Sequence, residues 1–68
     1  MAYSSKALSV YGKPYLDGFR CGYLDIPPDE AWNYPVGSCD RMRFVTGTLD
    51  GAIDADAGDS SFYEDHVA

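Results

Sequence analysis

Carboxylates are the residues with the most chemical potential in this 68-residue sequence. Asp50, Asp54, Asp56, Asp59, Glu64 and Asp65 fall within residues 44–68, and no Lys or Arg lies among them. Residues 1–43 carry five acids against five bases, so the whole formal charge of −6 belongs to the last part of the chain. Clustered acids can ligate a cation, exchange protons in catalysis, or present charge to a partner. Asp54-x-Asp56-x-Gly58-Asp59 with Asp65 meets the first use poorly. Counted from Asp54, Gly58 occupies the fifth position, where a calcium loop needs an oxygen ligand. Asp59 occupies the sixth, where it needs Gly, and Asp65 stands where a bidentate Glu closes the loop. Proton transfer needs a preorganised neighbour. His66 is the only His and sits near the end of the chain, and Cys21 and Cys39 have no companion His in a defined segment. The glycines lack the Gly-Lys-Ser/Thr ending of a phosphate loop, and so short a chain encloses little pocket. The expectation is a non-enzyme with no cofactor and no metal.

Presentation of charge remains. Nine of the 11 acids are Asp, whose short side chain holds its charge close to the backbone and loses little rotamer entropy when it is engaged. Such a surface suits a larger nucleic-acid-handling protein with a basic groove, with carboxylates standing in for phosphates. A solvated face that only aids solubility is the competing account. With five bases in the chain, direct binding to DNA is disfavoured, because phosphate contacts draw on Lys and Arg. The ten aromatic residues, six Tyr, three Phe and one Trp, exceed what two short helices bury. Some of Tyr3, Tyr11, Trp32, Tyr34 and Tyr63 are therefore expected at the surface, where Trp32 and Tyr34 join the six acids as protein-contact residues.

Positioning these groups takes very few elements. The chain is long enough for one domain, and a single core of this size supplies only about 3–5 kcal/mol. Ala7-Leu8-Ser9-Val10-Tyr11 alternates and reads as a short strand. Pro14 suits the first turn of a helix. Tyr15, Leu16, Phe19, Tyr23 and Ile26 follow at near-helical spacing, with strand alternation a close competitor, and Pro27-Pro28 ends the run. Pro28 to Asn33 reads as a brief helical turn with Asp29 and Glu30 at its positive end, and Asn33 to Ser38 as a loop. Ser38 is a good N-cap. Met42, Val45, Leu49, Ala52 and Ile53 form the clearest helical stripe, and Ala57-Gly58 closes it. Ser61-x-x-Glu64 has the form of a capping box, so the segment after Gly58 either adds a last turn packed by Phe62 or Tyr63 or frays.

Both helices carry paired glycines, Gly18-x-x-x-Gly22 and Gly47-x-x-x-Gly51. Each mid-helix Gly costs roughly 1 kcal/mol relative to Ala, so four of them imply close approach of backbones. The expected product is a hairpin with Phe19, Tyr23, Val45 and Leu49 around the crossing. The fold class is therefore mainly α: an N-terminal segment 1–13 with a short strand, a helical hairpin 14–58 and an acidic segment 59–68. A small α+β fold, with the glycines marking turns, is the alternative. Reduced thiols are expected at Cys21 and Cys39, with a disulfide between them as the alternative. Two Cys, one His and no Cys-x-x-Cys disfavour structural zinc. No secretory signal and no stretch of ~18 apolar residues is visible, which points to the cytoplasm.

Gly18-Phe19-x-x-Gly22-Tyr23, Asn33-Tyr34-Pro35-x-Gly37-Ser38 and Phe44-x-x-Gly47 with Asp50-Gly51 resemble the ribosome modulation factor family of small bacterial proteins and its phage and plasmid relatives. The resemblance spans about residues 15–55. It implies a two-helix unit and, as an alternative function, a ribosome- or RNA-associated regulator in which Arg20, Arg41 and Arg43 meet phosphates and Tyr34 stacks on a base. Tyr34 precedes Pro35 where the family has the reverse order, Phe44 replaces the usual Trp, Thr48 stands where a second aromatic often falls, and the founding member is strongly basic. A homodimer through the glycine faces is a third expectation.

Overall fold

The computed structural model describes residues 3–27 and 33–68, which form α1 (Ser5–Val10), α2 (Lys13–Leu24), α3 (Cys39–Ala57) and a π-helical turn over Tyr63–Val67. The fold is mainly α, and no strand occurs among the described residues. The expected turn over residues 28–33 falls almost entirely outside them, as does Trp32. No helix among the described residues is long and apolar enough to cross a membrane.

Local signals set the helix ends. The Ser4 hydroxyl accepts from the Ala7 N–H and nucleates α1. The expected strand at Ala7–Tyr11 is thereby corrected to helix. The capped turn satisfies backbone groups within the segment, and only Ala7 of it is buried. Pro14 lies in the first turn of α2, as anticipated, and Asp25 ends that helix in the left-handed region at φ 55°. Ser38 accepts from Arg41 N–H at the start of α3, and Gly58, at φ 75°, closes it. The last segment is ordered rather than frayed. Its cap differs from the expected box: Asp59 accepts from the Ser61 N–H and hydroxyl, and Ser60 rather than Ser61 pairs with Glu64.

α2 and α3 pack backbone to backbone. A Cβ on Gly18 would collide with the Phe44 carbonyl, one on Gly22 with the Thr48 carbonyl, one on Gly47 with that of Tyr15, and one on Gly51 with that of Phe19. The contacts advance together along both helices, so this hairpin-like pair runs parallel. Only small residues permit such an approach, and the glycine faces are thus consumed within one chain. Val45 and Leu49, expected at the crossing, are 46% and 61% exposed. Phe44 takes the inward place. The core proper lies on the other side of α2, where Ala7, Leu16, Phe19 and Val67 are buried beneath Tyr3, Tyr15, Tyr23, Phe62 and Tyr63.

Candidate functional site

Carboxylates meet three different fates in this fold. Asp17, which carries no functional expectation from the sequence, is the one buried acid among the described residues, 4% exposed. It accepts from the Lys13 ammonium at 2.7 Å, from the Tyr34 hydroxyl at 2.7 Å and from the Tyr3 hydroxyl. Burial pushes its carboxyl up, but the bonds from Lys13, Tyr3 and Tyr34 outweigh that and hold it below the usual range. Tyr3 is pushed up by burial and by its bond to Asp17. The cluster ties the N-terminus, α2 and the segment before α3 together. Because its partners lie 14 and 17 residues away, only the Lys13–Asp17 helical spacing signals it in the sequence.

Asp50 and Asp54 meet a second fate. They stand one turn apart on one flank of α3 and converge on Tyr15. The Tyr15 hydroxyl donates to Asp50 at 2.6 Å. Burial first, then that bond and the charges of Asp50 and Asp54, drive its pKa up. Both acids are half-buried.

Asp56, Asp59, Glu64 and Asp65 are exposed. Asp59 is locked by Ser61, whose hydroxyl and N–H lower its pKa. Asp56 lies on a different side of α3. At 100° per residue it points away from Asp50 and Asp54, among Val45, Leu49 and Ile53. Glu64 and Asp65 occupy the outer side of the π-helical turn, while Phe62, Tyr63 and Val67 of the same segment face inward. Phe62 lies 4.5 Å from Phe19 and Tyr63 stacks on Tyr23 at 4.5 Å between ring centroids. The segment read as an acidic tail is therefore a packed strip whose inner side closes the core and whose outer side carries charge. The His66 ring sits 3.3 Å from the Ser4 hydroxyl and edge-on to Phe62.

Tyr34 is not a surface contact. It is 8% exposed, packed on Phe44, with its hydroxyl committed to Asp17. This also removes it from the base-stacking role that the family resemblance implies. Arg41 donates to the Tyr34 carbonyl at 3.1 Å, so that guanidinium is partly occupied in holding the loop. Tyr3 and Tyr63 are half-buried, and Tyr11 is 38% exposed. The aromatic surplus is absorbed by a ladder of Tyr11, Tyr15, Phe19, Tyr23, Phe62 and Tyr63. Cys21 is buried and Cys39 exposed, and neither forms a disulfide. Among the described residues no group of three or more His, Cys, Asp or Glu side chains could hold a metal ion. No family model, curated protein or solved structure matches this chain.

Proposed function

We propose that this protein is a small non-enzymatic inhibitor acting in the cytoplasm. Its acidic surface occupies the basic nucleic-acid groove of a larger protein, as phage anti-defence proteins such as anti-CRISPR and anti-restriction factors do. One observation supports this reading above the others. The acids of residues 44–68 are mounted on packed elements, with Asp54 and Asp56 on α3 and Glu64 and Asp65 over Phe62 and Val67. Charge held on a rigid scaffold loses less entropy on binding than charge on a loose tail, and it steers association of a basic partner. Asp54, Asp59, Glu64 and Asp65 are the contact residues, with Asp50 half-buried beside Asp54, while Asp56, which points away from Asp54 on α3, is not among them.

The test is capture of partners from a bacterial lysate by immobilised protein at low and high salt. The expected partner is a nucleic-acid-handling protein that is retained at low salt, released at high salt and displaced by duplex DNA. It should be lost when Asp54→Lys and Asp65→Lys are introduced together, with helicity unchanged. Retention by the double variant, or a partner indifferent to DNA, overturns the proposal. Co-sedimentation with ribosomes at low salt, abolished by Arg41→Ala with Arg43→Ala, would replace it with the ribosome-associated reading.

A further inference from the structure

The N-terminal segment is tied to the body at a few points. Gly12, at φ 85° and ψ 154°, separates α1 from α2, and a Cβ there would meet only Pro14 Cδ at 3.8 Å. Gly12 thus serves the turn of the backbone and not close packing. Ala7 is the only buried residue of α1, while Leu8 and Val10 are 42% and 63% exposed. The Tyr3 hydroxyl donates to Asp17, and Tyr11 stacks on Tyr15 and meets Phe62 edge-on. Ser4 engages the π-helical turn twice. Its N–H donates to the His66 carbonyl at 3.3 Å, and its hydroxyl, which also caps α1, lies 3.3 Å from His66 Nδ1. By contrast, α2 and α3 are interlocked through four glycines.

We infer that residues 3–11 form a strap that opens about Gly12 as a unit while α2 and α3 stay paired, and that its closure fixes the last turn of the acidic strip. α1 has six residues, and isolated helices shorter than about 12–15 residues are marginal in water. Detachment and melting of α1 are therefore one event. That event costs less than global unfolding. It gives up one buried methyl, a few hydrogen bonds and the Tyr11 ring contacts, while the glycine crossing and the cluster of Cys21, Tyr34 and Phe44 remain. Opening uncovers Leu16, Phe19 and Val67, which share a cluster with Ala7, and it takes the Tyr3 bond from Asp17. The strip divides accordingly. Phe62 and Tyr63 rest on Phe19 and Tyr23 of α2, so that half stays when the strap leaves. His66 is bonded to Ser4 and Val67 packs in the Ala7 cluster, so that half is released. Glu64 and Asp65 lie between the two halves, and a closed strap sets where their carboxylates stand. The bearing of this on a target rests on the inhibitor reading; the opening itself does not.

Native-state amide hydrogen exchange on the chain alone, read by NMR, tests the strap without any partner. The Leu8, Tyr11 and Gly12 N–H groups donate to the Ser4, Ala7 and Leu8 carbonyls and report on α1. The Ala68 N–H donates to the Tyr63 carbonyl and reports on the last turn. These four reporters should exchange at least about tenfold faster than the slowest amides of α2 and α3, with a weaker dependence on denaturant. Two substitutions then label the states. Tyr3→Phe removes a tie present only in the closed form, so it should speed the reporters and the slowest amides alike, by about tenfold. Ser38→Ala removes the cap of α3, which the open form retains. It should speed the slowest α2 and α3 amides about fivefold and leave the four reporters unchanged. Equal rates in the two classes, reporters indifferent to Tyr3→Phe or accelerated by Ser38→Ala, or an Ala68 amide that follows α2 and α3 instead of α1 each overturns the inference. Failure to capture a nucleic-acid-handling partner, with this exchange pattern intact, overturns the inhibitor reading and leaves the strap standing.

Discussion

Asp17 shows at the level of a single residue how polar chemistry can hold a small core. Its carboxylate is withdrawn from water and sustained by two Tyr hydroxyls and one ammonium. Truncation would strand those donors, so Asp17→Ala should cost about 3 kcal/mol and Tyr34→Phe about 1.5–3 kcal/mol in chemical denaturation. The pH dependence follows from the shift directions. The Asp17 pKa lies below its ordinary value of 3.8, so its contribution is fully present above that value. It is lost as pH falls through the depressed folded value. Tyr3 and Tyr15 are shifted above their ordinary 10.0, so their contribution is present below that pH and is lost as the solution becomes more alkaline. Thermal unfolding should show a plateau between about pH 4 and pH 10 with a decline on both sides. Asp17→Asn should flatten the acid limb and Tyr15→Phe the alkaline one. An acid limb unchanged in Asp17→Asn would assign that decline to other carboxylates. The capping roles of Ser38 and Gly58 and the early-helix place of Pro14 were legible in the sequence because each acts within four residues of itself. Asp17 was not, because its Tyr partners become neighbours only after the N-terminus and the 33–38 loop have folded onto α2.

At the scale of elements, the glycines reverse the usual meaning of an apolar stripe. The spacing of Met42, Val45, Leu49 and Ile53 correctly signals a helix, but not the face that helix buries. Two helices in backbone contact through Gly18, Gly22, Gly47 and Gly51 need no large side chains at the crossing. The larger residues are left outside, and periodicity alone does not separate the two arrangements. The consequence is measurable. In an unconstrained helix Gly→Ala gains up to about 1 kcal/mol. Here Gly22→Ala drives a methyl into the Thr48 carbonyl and must part the helices, so it should destabilise by at least about 1–3 kcal/mol. Stabilisation by Gly22→Ala would contradict the backbone-to-backbone packing. α1 was misread for a related reason. Alternation over Ala7–Tyr11 promises a strand, yet among the described residues no second strand exists to pair with it, and the Ser4 cap makes the helical turn self-sufficient.

For the whole molecule, the decisive question is whether residues 59–68 are part of the fold or an appendage. Composition argues for an appendage, because this segment holds acids and no bases. Packing argues otherwise. Val67 is fully buried, Phe62 and Tyr63 cover Phe19 and Tyr23, and the Ser4 N–H donates to the His66 carbonyl at 3.3 Å, joining the two ends of the chain. One segment therefore carries two separable properties. Val67→Ala should cost about 2 kcal/mol, a large share of the ~3–5 kcal/mol a core this small supplies, and should lower the melting temperature sharply. Glu64→Gln with Asp65→Asn, on the outer side of the same turn, should leave stability within about 0.5 kcal/mol. The same pair should slow association with any basic partner and reduce its salt dependence. Thermal melts of the two variants decide the matter. If Val67→Ala melts like the parent, the segment is an appendage and its charge has no fixed geometry. If it melts early while the amide pair does not, the acidic surface is built into the core that supports it. Any partner then meets carboxylates whose positions were set by folding rather than by binding.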